Sequence, residues 1–168
     1  ADVYWGDLDF LVVDLPPGTG DVALSLGQKL PNAEVLVVTT PQQASAEVAE
    51  RAGTMASMLE QKVIGVVENM AFLDFACPHC GQNHRVDVFG SGGGSEVAGT
   101  LSTRLGYEVP LLAEIPIDPQ LAAGGDLGVP LVATGPERPA AKALLALADR
   151  LAGRKRNLVG FKLGVTPV

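Results

Sequence analysis

The sequence predicts an α/β fold in which a parallel sheet is flanked by helices. Three observations carry this. Short, nearly continuous apolar runs rich in valine recur along the chain, the mark of strands buried on both faces. Segments with helical spacing of apolar residues separate them, and that alternation favours β-α-β units. Glycine is abundant, 20 of 168 residues, against a usual ~7%, and supplies tight turns and backbone-lined sites. Hydrophobic residues at 47% and charged residues at 18% exclude a disordered chain and provide for one core.

The elements follow in order. Leu8–Asp14 (LDFLVVD) reads as a first buried strand, broken by Pro16, Pro17, Gly18 and Gly20. Asp21 suits the N-cap or first turn of a helix ending near Leu30. Glu34–Thr40 (EVLVVTT) is a second strand, stopped by Pro41. Ser45 can cap the next helix, where Val48, Ala52, Met55 and Leu59 make one apolar face. Val63–Asn69 (VIGVVEN) is a third strand. Residues 70–90 lack periodicity and read as an inserted loop holding both cysteines and both histidines. Gly92-Gly93-Gly94-Ser95 opens a helix ending near Gly106. Pro110–Ile115 is a fourth strand, followed by the turn Pro116-Ile117-Asp118-Pro119. A last helix starts around Glu137, with Thr134 and Glu137 at capping-box spacing. Its buried stripe is Leu144, Leu147, Ala148 and Leu151, and Gly153 ends it. The organisation is one domain over 1–152 and a basic tail over 153–168.

Composition narrows the function classes. The net charge is −7, the wrong sign for a duplex-binding surface. Aromatic residues are 5%, too few for a base-stacking platform. No apolar run approaches the ~18 residues that span a bilayer, and no signal peptide is visible. Neither nucleic acid nor membrane is expected as a partner. Ala1, four residues before Trp5-Gly6, reads as a cut rather than a natural beginning. Two cysteines at C-x-x-C spacing do not make a disulfide scaffold; they suggest a metal or redox site in a reducing, cytoplasmic compartment.

Three motifs carry chemistry. The first is Asp14-Leu15-Pro16-Pro17-Gly18-Thr19-Gly20-Asp21. An acid ending a strand can hold a water on Mg²⁺, and backbone N–H groups from Gly18 onward can face a terminal phosphate. A plain strand-to-helix turn with a capping Asp fits the same spacing. The second is Cys77-Pro78-His79-Cys80, half of a four-ligand metal shell. His84 offers a third ligand or is an ordinary loop residue, and His79 lies inside the loop and is poorly placed. Four-thiolate ligation therefore needs a second copy of the chain. Zinc, thiol–disulfide exchange and reduced structural thiols are the other readings, although the polar stretch after Cys80 is a poor start for the helix that redox sites use. The third is Asn69, whose amide can both donate to and accept from a purine edge; a strand-end cap fits as well.

The ordered segments LDFLVVDLPPGTGDVALSL, VLVVTTPQQAS, VIGVVENMAF, CPHCG, FGSGGGSEVA and PLLAEIPIDPQLAAGGDLGVPLV resemble the C-terminal part of the Mrp, or ApbC-like, family over residues 3–151. These are MinD-related P-loop ATPases that carry iron–sulfur clusters. The resemblance implies a P-loop NTPase fold incomplete at its N-terminus, with ATP and Mg²⁺ as ligands. It assigns Asp14 to Mg²⁺ through water, and Gly18 and Thr19 to the second switch near the γ-phosphate. It places Asn69 and the turn Pro116, Ile117 and Asp118 on adenine, the turn largely through backbone. It makes Cys77 and Cys80 ligands of a [4Fe-4S] cluster bridging a homodimer, with apo iron–sulfur proteins as clients. A MinD/ParA-type positioning ATPase and a zinc-stabilised dimer are the alternatives.

The family's phosphate-binding loop, a Gly-rich run ending in Lys and Ser/Thr, has no counterpart here. Gly90–Gly94 lacks the following Lys and reads as a helix entry whose amides can receive an anion. The chain by itself is therefore expected not to hydrolyse ATP, and to expose a strand edge where the neighbour of Leu8–Asp14 would lie. The tail holds Arg154, Lys155, Arg156 and Lys162. MinD-like relatives end in a basic amphipathic helix, but Gly160, Gly164 and Pro167 favour a solvated tail.

Overall fold

The computed structural model describes residues 3–4, 6–16 and 20–154. Gly18, Thr19 and most of the basic tail lie outside the described residues, as do the expectations placed on them.

The architecture is α/β. Helix α1 (Asp21–Lys29) precedes β1 (Glu34–Thr39), α2 (Gln43–Met58), β2 (Lys62–Asn69), the short strands β3 (Leu73–Ala76) and β4 (Asn83–Val86), α3 (Gly93–Leu105), β5 (Leu111–Ile115), α4 (Pro119–Leu127), α5 (Leu131–Thr134) and α6 (Pro139–Ala152). The main sheet has the order β1-β2-β5, and both pairings are parallel. Strand β2 is central and buried from Val63 to Glu68. Its side chains divide between two apolar layers, with a register irregularity after Val63 that puts Val63 and Val66 on the same side. Val63 and Val66 join Ala46, Ala49 and Ala56 of α2 and Val97 and Leu101 of α3. Val67 joins Ile115, Leu131, Ala140, Ala141 and Leu147 on the opposite face. Each large apolar side chain buried this way contributes ~1.5–3 kcal/mol, which is why a three-stranded sheet holds with helices on both sides.

The first apolar run departs from expectation. Leu8–Asp14 forms no strand, and Leu8, Phe10, Leu11, Val12 and Val13 are exposed, Val12 at 90%. A strand exists through hydrogen bonds to a neighbour. Among the described residues none pairs with this segment, and β1 stands at the sheet edge with Val38 exposed.

Smaller departures have local causes. Helix α2 begins two residues before Ser45, with Gln42 as N-cap. It buries Ala46, Ala49, Gly53 and Ala56 and leaves Val48 exposed, because small residues let it lie close to α3. The capping box at Thr134 and Glu137 is not made. Thr134 ends α5 and donates back to the Pro130 carbonyl, and α6 starts at Pro139 behind Arg138. In α6, Leu147 is buried but Ala148 is exposed.

Candidate functional site

Residues 73–86 are not an open loop but an antiparallel hairpin. Leu73 pairs with Val86, Asp74 with Arg85, Phe75 with His84 and Ala76 with Asn83. The alternation that marks a half-buried strand is absent because β4 is exposed throughout, so periodicity could not reveal it. Two packings stabilise the ribbon: His84 stacks on Phe75 with ring centres 5.9 Å apart, and the Arg85 guanidinium lies 3.6 Å over the Phe72 ring, a cation–π contact.

Cys77 and Cys80 sit on the tip of this hairpin. The tip is closed by Cys77 N–H donating to Gln82 O at 2.8 Å and by Gly81 N–H donating to Cys77 O at 2.8 Å. Gly81 is left-handed at φ 69°, a conformation glycine adopts without the Cβ penalty. Both thiols are free; Cys77 is half-buried and Cys80 exposed. The backbone N–H groups of Cys80 and His79, with a smaller part from the Cys80 side chain, hold the Cys77 thiol below its ordinary pKa. Hydrogen bonds to the charged form favour the thiolate, which is the metal-ligating species. Thus the sulfurs are neither locked in an intrachain bridge nor sunk in the core.

Of the two readings offered for His84, the structure places it beside the sulfurs. Its Nε2 lies 3.1 Å from the Cys80 sulfur, and Cys77, Cys80 and His84 place their donor atoms within 4.8 Å of one another. His79 is not part of that group. The spacing from Cys80 to His84 was the sequence signal; the hairpin turns it into proximity.

The second group lies at the carboxyl ends of the parallel strands, where open α/β sheets bind ligands. Asn69 ends β2 and pairs with Ile115 at the end of β5. Its Oδ1 accepts from Met70 N–H at 2.9 Å, and Met70 is left-handed at φ 53°, an uncommon conformation outside glycine. The Asn69 side-chain amide N–H groups face no partner among the described hydrogen bonds. Ala71 N–H donates to Ile115 O at 3.0 Å and Ile117 N–H to Phe72 O at 2.7 Å. These bonds tie Asn69, the Pro116–Asp118 turn and the base of the hairpin together.

Asp118 is used structurally. Its carboxylate accepts from Gln120 N–H at 2.9 Å, capping α4, and from Arg138 Nε and Nη2 at 2.7 Å each. The Arg138 guanidinium, first of several causes, holds the Asp118 carboxyl below the usual carboxylate range, and the same pairing raises Arg138. Any contact between this turn and a base therefore runs through backbone or through the half-buried Ile117. Arg138 was invisible as a partner because 20 residues separate the pair.

Glu68 was also missed. It is 1% exposed and accepts from the backbone N–H of Gly94 at the start of α3. The side-chain oxygen satisfies one of the N–H groups that a helix start leaves without an intrahelical partner. The glycine-rich entry thus meets an internal side-chain acceptor at Gly94; an acid inside the apolar run VIGVVEN was the available signal. Asp14, by contrast, is exposed on the segment outside the sheet and carries no burial cost.

The sequence matches the family model described as NUBPL iron-transfer P-loop NTPase over residues 1–152. Relatives called iron-sulfur cluster carrier protein include one from Mycobacterium leprae, 54% identical over 99% of this chain and 42% of its own length. Another from Pyrococcus furiosus is 39% identical over 95% of this chain and 50% of its own length. The chain therefore spans half or less of these relatives. Among solved structures, a nucleotide-binding protein from Archaeoglobus fulgidus in complex with ADP, with Co found, is similar at 44% identity and TM-score 0.55, covering 74% of this chain and 47% of that one. The cell division ATPase MinD of Pyrococcus furiosus is similar at 27% identity and TM-score 0.62, covering 85% and 51%. With its parallel sheet, flanking helices and match over 1–152, the chain belongs to the iron-transfer P-loop NTPase family of MinD-like fold.

Proposed function

We propose that this chain is part of an ATP-dependent iron–sulfur cluster carrier, in which two chains pair their Cys77 and Cys80 thiolates around one [4Fe-4S] cluster. One observation carries the reading: two free sulfurs stand on an exposed hairpin tip whose backbone favours the thiolate. Each chain offers two thiolates, and a four-thiolate shell needs four, so the cargo is held by a homodimer and is open to transfer to apoproteins. The names of the relatives support the same cargo.

The nucleotide half of the cycle falls to the carboxyl edge of the sheet. The Asn69 amide donors, which have no partner among the described residues, and the backbone of Pro116, Ile117 and Asp118 suit an adenine edge. Asp14 is a hard oxygen donor of the kind that holds Mg²⁺ through water, and Gly18 and Thr19 belong to the switch beside the γ-phosphate. Hydrolysis in the complete protein changes the separation of the paired hairpins and so releases the cluster. A phosphate-binding lysine is needed for that step, and this sequence contains none in a Gly-rich loop. The setting is the reducing cytoplasm; among the described residues no helix is long and apolar enough to cross a membrane.

The test is anaerobic reconstitution with iron and sulfide, followed by iron analysis and sedimentation. One cluster per two chains, absent in Cys77→Ser/Cys80→Ser, is the expected outcome. A double variant that reconstitutes as well as the parent removes the site from the proposal.

A further inference from the structure

We infer that a single chain holds a mononuclear, borderline-soft divalent cation of the Zn²⁺ or Fe²⁺ kind, through Cys77 Sγ, Cys80 Sγ and His84 Nε2, with a fourth position left open. It builds on the cluster reading in that it uses the same two thiolates, but it requires no second chain.

The geometry is the first support. Bond lengths of ~2.3 Å to sulfur and ~2.0–2.1 Å to nitrogen in a tetrahedral site put donor atoms roughly 3.5–3.8 Å apart. The three donors already lie within 4.8 Å of one another, and the Cys80–His84 pair is at 3.1 Å. Small side-chain adjustments bring every pair to a tetrahedral edge. The second support is preorganisation. The Phe75–His84 cross-strand pairing and the stacking of those rings fix the imidazole beside the tip, and the Cys77 and Gly81 backbone bonds fix the knuckle. The third is donor chemistry. Two thiolates and an imidazole select a borderline or soft first-row ion over Mg²⁺ or Ca²⁺. Binding displaces the remaining thiol protons to solvent. All three residues lie on the surface or half-way to it, so the ion has an entry path and the fourth position faces solvent.

The consequence is that the chain has two loaded forms. A single chain takes one ion with three of its own ligands; a pair of chains takes a cluster with four thiolates and no imidazole. His84 is then the residue that belongs to the first form alone.

The experiment is an anaerobic titration of the full 168-residue chain with Co²⁺ alone, followed by displacement with Zn²⁺, with sedimentation at saturation. The thiolate-to-cobalt absorption should saturate at about one ion per chain with no change in mass. His84→Ala should weaken binding by at least ~10-fold, the lower end of what even outer-shell changes cost. His84→Cys should retain tight binding, and His79→Ala should match the parent. Equal affinity in His84→Ala and parent overturns the inference, as does saturation at half an ion per chain with doubled mass. Iron–sulfide reconstitution of the same proteins separates the two readings. His84→Ala that still assembles a cluster while losing Co²⁺ supports both. A parent that binds Co²⁺ one-to-one yet takes no cluster supports the inference and sinks the carrier reading.

Discussion

The contact between α2 and α3 can be tested by a pair of substitutions that compensate. Leu101 is fully buried and its side chain lies over Gly53. A Cβ added at Gly53 would meet Leu101 Cδ1 and Cδ2 at 2.8 Å and Cγ at 3.4 Å. Leu101→Ala removes those three carbons and leaves a cavity, at a cost of about 3–4 kcal/mol. In a domain of this size that lowers Tm by roughly 6–15 °C. Gly53→Ala gains ~1 kcal/mol of helix propensity but overpacks against a leucine with no free space, at ~1–3 kcal/mol. Alone it should be neutral or destabilising. In the double variant the new methyl enters the space that Leu101 vacated. Gly53→Ala should then stabilise the Leu101→Ala background by ~1 kcal/mol or more, a coupling of ~1–3 kcal/mol. Urea unfolding of the four proteins, followed by circular dichroism, measures the cycle. Strict additivity, with Gly53→Ala stabilising the parent by its full propensity gain, would refute the packing argument.

Three further outcomes are expected. Gly93→Ala places a Cβ 2.6 Å from Pro41 O and 2.8 Å from Thr40 O, backbone atoms that cannot step aside, and should cost ~1–3 kcal/mol. In the same helix Gly99→Ala meets nothing within 4 Å and should gain ~0.5–1 kcal/mol; denaturant midpoints of the pair decide this. Because Arg138 lowers the Asp118 pKa in the folded state, the pair stabilises the fold above the ordinary carboxylate pKa. That stability is lost as pH falls below ~4 through the folded value. Asp118→Asn should be less stable at neutral pH and converge with the parent in acid, so parallel pH profiles would exclude the pairing. Finally, in a protein that also carries a phosphate-binding loop, Asn69→Ala should weaken adenine-nucleotide binding by roughly 5–10-fold, the worth of about one hydrogen bond. Calorimetry showing unchanged affinity would remove Asn69 from the nucleotide site.

The strands β1, β2 and β5 were legible because VLVV, VIGVV and PLLAEI are short, largely apolar runs bounded by turn residues; only β2 is buried along nearly its whole length, and β1 and β5 bury part of theirs. The entry to α3 was legible from its glycines. The hairpin was not, because β4 is solvated on all sides and its sequence, NHRV, obeys no burial pattern. Leu8–Asp14 misled for the opposite reason. Its composition describes the neighbour it needs, and composition cannot supply that neighbour. The site divided in the same way. The C-x-x-C pair is local and visible in its spacing; the proximity of His84 to Cys80, of Glu68 to Gly94 and of Arg138 to Asp118 depends on distances that only folding sets.

What the sequence by itself determined is the class of fold and the presence of a local C-x-x-C pair, since these rest on apolar runs and on residues three apart. The tertiary structure alone decided that the His84 ring lies beside those thiols, that Asp118 is engaged by Arg138, and that the first apolar run lies outside the sheet. The physical reason is range. Patterning records what a residue must be shielded from or exposed to, whereas pairing between β3 and β4, or between residues 118 and 138, is a property of how the shielded parts come together.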